Sequence, residues 1–354
     1  MIEAFFHAWE RRLAAVTTDR VVRPFEWGLD WIGRTGEALG GADNAPTGAG
    51  DTLSKWVAQV MADTDAFYTP EPTTEYTLSA AHANGDRILS FPSALATPHS
   101  NNNTVYCRLV APRRAAADQP RAAVLVLPQW NSDEGGHVGL CRLLAMNGLT
   151  ALRLSLPYHD RRMPPELHRA DYIVSANIAR TLQVCRQAVL DARRAIWWLR
   201  DQGYERIGIL GSSLGSCLSL LTTAHEPLVR AQALNHISPY FADVVWRGLS
   251  TEHVRRGLDG HIELDLLRAL WRPISPQWFL DRVRDRRTLL VYARYDLTFP
   301  VDLSEDLVRE FERRSIPHEL AVLHCGHYST GKSPFKFIDG WILTRFLKKA
   351  LLAA

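Results

Sequence analysis

The chain has 354 residues, of which 46% are hydrophobic and 22% are charged, the balance of a globular protein that can bury a sizeable core. Its 41 basic and 38 acidic residues give a formal net charge of +3 and form no long run of either sign. This distribution predicts a mixed, solvated surface and gives no reason to expect nucleic acid as a partner.

The cysteines and the apolar runs indicate the cellular setting. The five cysteines are an odd number at wide spacings, without a C-x-x-C pair: Cys107, Cys141, Cys185, Cys217 and Cys325. A secreted disulfide framework is therefore not expected, and we predict a reducing, cytoplasmic location. No apolar run approaches the roughly 18 residues of a membrane span, and the first residues lack the order of a signal peptide.

The first 16 residues, MIEAFFHAWERRLAAV, predict an amphipathic helix. Its apolar face would carry Ile2, Phe5, Phe6, Trp9, Leu13 and Val16. We expect this face to pack on the body of the protein. The alternative is a helix that lies on a membrane surface or covers a site. It has less support, because two glutamates offset Arg11 and Arg12 on the polar face.

Residues 1–80 as a whole are predicted to form a helical extension of the chain. A second helix would begin at Asp51 as its capping residue and run to 68. The small-residue stretch GGADNAPTGAGD at 40–51 would link the two helices. Residues 81–354 would then form one further domain, with cap-like insertions at about 158–176 and 239–283.

From residue 87 onward, short apolar strands alternate with helices. RILSFPS and NTVYCRLVAP predict a hairpin-like pair of strands, and the long helix that follows later would end at Gly203 as its C-cap. Further strands are predicted at 122–130, 150–157, 206–210, 231–238, 287–296 and 318–324. The alternation predicts an α/β fold, a mostly parallel twisted sheet of about eight strands with helices on both faces.

The strand RIGIL runs directly into GSSLG, in which Gly211, Ser213 and Gly215 fit the pattern G-x-S-x-G. Between a strand and a helix this pattern is typical of a nucleophile elbow, a turn too tight for bulky side chains at the glycine positions. The elbow would present the Ser213 hydroxyl at a helix N-terminus, where negative charge is stabilised. The alternatives are a glycine-rich turn with an incidental serine and a phosphate-binding loop, which lacks the Gly-Lys-Ser/Thr ending.

A serine hydroxyl needs a base, and the base needs an orienting carboxylate, in the chain order serine, acid, histidine. Asp296 comes at the end of the strand LLVYARYD and is the predicted acid. Asp302 is its weaker rival, since it is placed to cap the next helix.

The predicted base is His327, which follows the last strand in LHCGHYSTG. His324 is its rival, but Gly326 frees the backbone just before His327, whereas His324 should still be packed in the strand. We therefore expect His327 Nε2 to lie within hydrogen-bond reach of the Ser213 hydroxyl, with Asp296 on the other ring nitrogen.

An oxyanion formed by attack of Ser213 on a carbonyl needs preorganised donors. One would be the backbone N–H of Leu214, the residue after the nucleophile. The second would come from the loop after AVLVLPQW, and we predict Trp130, with Gln129 as its neighbour. Both donors are backbone groups, so residue identity says little about this assignment.

With these residues placed, the chain from about 120 to 346 resembles the α/β-hydrolase superfamily. Within it, the chain is most similar to the family of alpha/beta hydrolase domain-containing protein 18. The resemblance is carried by LSLPYHDRRMP, by AIWWLRDQGYERIGILGSSLGSCLSL, and by LLVYARYDLTFP with HCGHYS. It implies Ser213, Asp296 and His327 as a catalytic triad that hydrolyses an acyl ester, with acyl lipids as a weaker implication. PQWN departs from the His-Gly of many superfamily members, and residues 1–80 match nothing that we can identify.

We therefore predict an esterase/lipase-like serine hydrolase that cleaves a carboxylic ester through an acyl-enzyme, without a cofactor or metal. The pair His159 and His168 has no evident third ligand for zinc. One alternative is a lipid acyl hydrolase or acyltransferase, with the N-terminal helix and the block 239–283 covering an acyl site. A non-catalytic binding protein of the same fold is the second alternative. The partner would be a small-molecule or acyl-lipid ester, and peripheral membrane contact and oligomeric state stay open.

Overall fold

A central sheet organises the protein, as seen in a computed structural model that describes residues 1–32, 48–113 and 120–353. In these residues the strands are β1 (Thr77–Leu78), β2 (Arg87–Pro92), β3 (Thr104–Val110), β4 (Ala122–Leu127), β5 (Thr150–Leu154), β6 (Arg206–Ser212), β7 (Val229–Asn235), β8 (Arg287–Ala293) and β9 (Glu319–Leu323). They lie in the order β1-β2-β3-β5-β4-β6-β7-β8-β9. The predicted mostly parallel sheet is confirmed, with nine described strands where about eight were expected.

The sheet has an antiparallel and a parallel part. Strands β1, β2 and β3 pair antiparallel, as does β3 with β5, which confirms the predicted hairpin. All other pairs are parallel. Leu127 pairs with Gly211 across β4 and β6, and Ser212 pairs with Asn235 across β6 and β7. The loops that leave these three strands therefore start side by side at one edge of the sheet.

Helices cover both faces of the sheet. Those of the described residues are α1 (Ile2–Ala14), α2 (Ala49–Ala62), α3 (Thr64–Tyr68), α4 (Val138–Met146), α5 (Ile178–Asp201), α6 (Leu214–His225), α7 (Phe241–Arg247), α8 (Glu252–Leu258), α9 (Leu264–Leu270), α10 (Val301–Arg313), α11 (His327–Thr330) and α12 (Phe335–Leu352). As predicted, Gly203 follows the end of α5 with a left-handed φ of 80°. Asp51 is not a cap, because α2 begins two residues earlier, after Gly48.

The alternation of side chains along β4 divides the interior into two cores. Ala123, Leu125 and Leu127 pack with α5 and α6, whereas Val124 and Val126 point to the other face and pack with α4 and α12. Every residue of β4 is buried. A strand covered on both faces needs an unbroken apolar sequence, and this is why the run AAVLVL predicts a central strand.

The N-terminal helix packs differently from the prediction. Ile2 and Phe5 are exposed, and Val16 is exposed beyond the end of α1. The buried side chains of α1 include Glu10, while Phe6 stacks on Tyr295 with ring centroids 4.5 Å apart. The predicted apolar face is therefore only partly the packed one, because the helix is turned to bring a carboxylate inward.

The remaining N-terminal segments join the main core. The buried side chains of α2 and α3, such as Leu53, Phe67 and Tyr68, belong to the same core as α5 and α6. The block 239–283 folds as α7, α8 and α9 with short 3₁₀ helices between them. Of the predicted linker at 40–51, residues 40–47 lie outside the described residues. No helix in the described part of the chain has both the length and the apolar character needed to cross a membrane.

Candidate active site

The turn between β6 and α6 carries Ser213 in a strained conformation, with φ 56° and ψ −121°. The flanking glycines leave no room for side chains: a Cβ at Gly211 would overlap the backbone of Gly215, and a Cβ at Gly215 would overlap the carbonyl of Leu127. Ser216 Oγ lies 2.6 Å from Ser213 O and 2.8 Å from His236 O, which ties the turn to the end of β7. The turn therefore has the tight strand-to-helix geometry that the pattern G-x-S-x-G predicts.

Asp296 lies in the turn after β8, with only 3% of its surface exposed. One carboxylate oxygen, Oδ1, accepts hydrogen bonds from the backbone N–H groups of Thr298 (2.8 Å) and Phe299 (2.7 Å). The other, Oδ2, accepts from His327 Nδ1 (2.9 Å) and His236 Nδ1 (3.0 Å). Burial alone would raise the pKa of Asp296, but the charge and hydrogen bonds of the two histidines outweigh it and hold the pKa well below its usual range.

His327 begins α11, directly after the turn that follows β9. Its ring stacks on Phe299, with centroids 5.4 Å apart and an interplanar angle of 1°. Burial lowers the pKa of His327, but the neighbouring Asp296 charge and hydrogen bond outweigh burial and raise the pKa above its ordinary value. The rival His324 is exposed and lies just past the end of β9, so the expectation that it packs in the strand is wrong. The rival Asp302 is also exposed and pairs with Arg247 at 2.8 Å.

His236 is a third member of this cluster, which the sequence analysis did not identify. It follows β7 with a left-handed φ of 56°, and its ring centroid lies 4.6 Å from that of His327. His236, Asp296 and His327 could hold a metal ion by proximity, since one ligand atom of each lies within 4.8 Å of the others. With the carboxylate ionised, both Nδ1 atoms donate protons to it, so the lone pairs of the two neutral rings are on the Nε2 atoms.

A carboxylate from the N-terminal helix anchors the turn that holds His327. Glu10 is fully buried and accepts hydrogen bonds from the backbone N–H groups of Tyr328 (2.8 Å) and Ser329 (2.9 Å). These are unpaired donors of the first turn of α11, so Glu10 supplies the anionic cap that a short helix needs. A Cβ at Gly326 would overlap the Glu10 carboxyl group. The glycine before His327 therefore makes room for Glu10.

A third buried carboxylate, Asp339, lies near His236. Asn235 Nδ2 donates to Asp339 Oδ2 on α12 (2.9 Å). Burial raises the pKa of Asp339 to about 6, although the charge of His236 and the hydrogen bond from Asn235 act in the opposite direction. No local sequence pattern singles out Glu10, His236 or Asp339, because each acquires its role through a partner far away in the chain.

Ser213, His236 and His327 line one large cavity of about 1200 Å³. The cavity runs outward between α4 and α12, where Leu143 and Phe337 belong to its lining. Ser213 and His327 thus face the same space, but no hydrogen bond joins their side chains in this structure. In unliganded hydrolases this contact is often loose and tightens only in the substrate complex.

Ser213 also lines a smaller, mainly apolar cavity of about 50 Å³. Trp130 and Leu214, the residues of the predicted oxyanion donors, both line it, together with Val245 and Phe299. The close approach of Gly215 to the end of β4 brings the loop of Trp130 next to the elbow. Ser213 therefore lies where two cavities of different size meet.

The loop that contains Trp130 is held by residues 158–176. Trp130 Nε1 donates to Ala170 O (2.9 Å), and the Ala170 N–H donates to Asn131 Oδ1 (2.8 Å). His159 is buried, with Nε2 accepting from the Asn131 N–H (2.9 Å). Burial lowers the pKa of His159 to about 4, so the ring is a neutral acceptor. Its two nitrogens have protein partners, the second being Pro157 O.

The chain matches no protein-family model and no curated protein. Its structure is similar to acetyl xylan esterase from Paenibacillus sp., with a TM-score of 0.59 and 14% identity over 92% of this chain and 99% of that chain. Acetyl xylan esterase 1 from Thermoanaerobacterium sp. has a TM-score of 0.57 and 14% identity over 90% and 98% of the two chains. Acylaminoacyl peptidase from Pyrococcus horikoshii has a TM-score of 0.54 and 14% identity over 81% of this chain.

This chain spans 42% of the length of the peptidase, whereas the two esterases are covered almost completely. At 14% sequence identity, structural similarity indicates a shared fold. Together with the sheet order, the strained serine turn and the helices on both faces, it shows that the protein has the α/β-hydrolase fold.

Proposed function

We propose that the protein is a serine hydrolase that cleaves carboxylic esters, with Ser213 as nucleophile, His327 as base and Asp296 as the orienting acid. The observation that carries the proposal is the hydrogen bond from His327 Nδ1 to Asp296 Oδ2 (2.9 Å) beside the cavity that Ser213 lines. That bond leaves Nε2 as the unprotonated nitrogen, the form that a general base requires. We also propose that, within the α/β-hydrolase superfamily, the chain is most similar to the family of alpha/beta hydrolase domain-containing protein 18.

In the proposed reaction, Ser213 Oγ attacks the acyl carbon while His327 Nε2 takes the hydroxyl proton. The backbone N–H groups of Leu214 and Trp130 would stabilise the oxyanion, with Gln129 beside them. His327 then gives the proton to the leaving alcohol, and an acyl-enzyme forms on Ser213. Water attacks this ester in the second half of the reaction, with His327 again as base.

The apolar walls of the large cavity favour an ester with an acyl chain over a purely polar substrate. Its lining includes Leu140, Leu143 and Met146 on α4 together with Phe337 and Trp341 on α12. This lining supports the alternative function of a lipid acyl hydrolase, in which the acyl chain of the substrate would bind between α4 and α12. The five cysteines are all buried and free, which supports a reducing compartment such as the cytoplasm.

A fluorophosphonate probe tests the nucleophile, because it labels only a serine whose proton a base can take. We expect the wild type to be labelled and Ser213→Ala to be unlabelled. Ser212→Ala is the matched control, since the neighbouring serine lines the same cavity but should keep full labelling. Equal labelling of wild type and Ser213→Ala would refute the proposal. Rates on p-nitrophenyl esters of increasing chain length would then define the acyl preference.

A further inference from the structure

The outer side of α12 carries large apolar side chains that contact solvent. Phe337 is 65% exposed and Trp341 57% exposed, and Ile338 is exposed beside them. With Arg345 and Lys348, they form one stripe along the helix, spaced three and four residues apart, which we call the α12 face. The opposite side of the helix is buried in the core of the protein, so α12 carries large apolar side chains on its exposed side as well as on its buried side. A solvated surface helix would be polar on its outer side.

Cations accompany these aromatic residues. Four of the five charged residues of α12 are basic, and the one acid, Asp339, is buried. The Arg345 guanidinium lies 5.0 Å from the ring centroid of Trp341, and Lys336 Nζ lies 4.9 Å from that of Phe337. In the described part of the chain, no carboxylate lies within 4 Å of the side-chain nitrogens of Lys336, Arg345 or Lys348. The positive charge of the face is therefore open to an external partner.

The α12 face also borders the large cavity. Phe337, Trp341, Arg345 and Lys348 belong to the lining of the cavity that Ser213 lines, as does the exposed Met146 on the facing helix α4. Whatever binds the α12 face therefore lies at the open end of the cavity between α4 and α12.

We propose that the α12 face docks the protein on a membrane surface that contains anionic phospholipid. Aromatic and aliphatic side chains would enter the boundary between head groups and acyl chains, while Arg345 and Lys348 would contact lipid phosphates. A second copy of the chain is the poorer occupant, because a two-fold interface would bring the same cations of both copies together. The docked orientation opens the cavity towards the lipid. This implies a membrane-resident acyl ester as substrate, a step that rests on the proposed function.

Co-sedimentation with vesicles tests the docking. We expect the full chain to sediment with vesicles of phosphatidylcholine mixed with phosphatidylglycerol, and much less with phosphatidylcholine alone. The double variant Phe337→Ser/Trp341→Ser should bind at least about ten-fold more weakly, since it removes two half-exposed aromatic surfaces. The double variant Arg345→Gln/Lys348→Gln should lose most of the preference for the anionic vesicles.

Trp278 offers a matched control on the other side of the sheet. Its side chain is 50% exposed, and the Arg272 guanidinium lies 4.1 Å from its ring centroid. Trp278 therefore resembles Trp341 as an exposed tryptophan beside an arginine, but it lies outside the α12 face. Trp278→Ser should bind vesicles like the wild type, and thermal unfolding of all variants would verify that they are folded. Ser213→Ala should also bind normally, so a failure of the hydrolase proposal is distinguishable from a failure of docking.

Three results would overturn the proposal. The first is a wild type that does not bind the anionic vesicles, and the second is a Phe337→Ser/Trp341→Ser variant that binds as tightly as the wild type. The third is a wild type that is a dimer by sedimentation velocity and a Phe337→Ser/Trp341→Ser variant that is a monomer, which would assign the α12 face to a second copy of the chain.

Discussion

Two buried carboxylates in this protein have similar burial but very different surroundings. Asp296 accepts four hydrogen bonds, two of them from His236 and His327, and lies beside an open cavity. Asp191, on α5, is fully buried and accepts from Arg162 (2.8 Å), from the Ser93 hydroxyl and from a backbone N–H. Both charges are well compensated. The partners of Asp296 are two imidazole rings, whereas the charged partner of Asp191 is a guanidinium.

A buried, well-paired charge therefore does not by itself indicate an active site. Arg162 is also fully buried and donates to Ser155 O and Asn102 O, so this pair joins the 158–176 segment to α5. Asp296 instead accepts a hydrogen bond from His327, whose side chain lines the large cavity. Access to the cavity and the chemistry of the partner side chain distinguish the two carboxylates.

The largest expected effect comes from Asp296→Asn, which keeps the side-chain shape but loses the charge that sets the tautomer of His327. We expect kcat on a p-nitrophenyl ester to fall about 10⁴-fold. Asp302→Asn is the control, because its exposed ion pair with Arg247 lies outside the cavity lining and should leave the rate within about two-fold. Full activity in Asp296→Asn would remove the basis for distinguishing the two carboxylates.

For Asp191→Asn the effect should appear in stability. The substitution leaves the buried Arg162 charge without its counter-ion, so the free energy of unfolding should fall by about 3–5 kcal/mol. Urea unfolding measures this loss. The specific activity of the folded fraction should be unchanged, and Asp191→Leu combined with Arg162→Met should recover part of the stability. If Asp191→Asn loses activity while remaining folded, the contrast with Asp296 is wrong.

His236 should act as a positioning residue, through its hydrogen bond to Asp296. His236→Ala removes one of four donors to a buried carboxylate, and we expect kcat to fall about ten-fold or more with KM little changed. His236→Asn retains a donor near the position of Nδ1 and should recover most of the rate. A merely structural role predicts equal loss in both variants, which steady-state kinetics would reveal.

The smallest effect is a shift of the pH profile. The base form of His327 is required, so kcat/KM should rise with pH through the pKa of this residue, which lies above its ordinary value. The negative charge of Glu10 contributes to raising that pKa, so Glu10→Gln should move the rising limb to lower pH by less than about one unit. Glu3→Gln, on the same helix but exposed, is the control. A shift to higher pH would contradict the assigned contact.

Sequence patterns predicted the parts of this fold that depend on local rules. The apolar run of β4 is explained by a strand that is covered on both faces. The glycines around Ser213 are explained by a turn that has no room for side chains. The prediction for α1 was partly wrong, because counting apolar residues could not show that Glu10 faces inward. A buried carboxylate is unfavourable unless donors meet it, and its donors lie more than 300 residues away in the chain.

The alternation of strands and helices, the tight glycine turn and the candidate residues Ser213, Asp296 and His327 could be predicted from side-chain periodicity, glycine geometry and chain order. Three features became visible only in the folded chain: His236 shares the Asp296 carboxylate, Glu10 caps the turn of His327, and the α12 face borders the cavity. These features depend on hydrogen bonds and packing between residues remote in the chain, and no local pattern encodes such contacts.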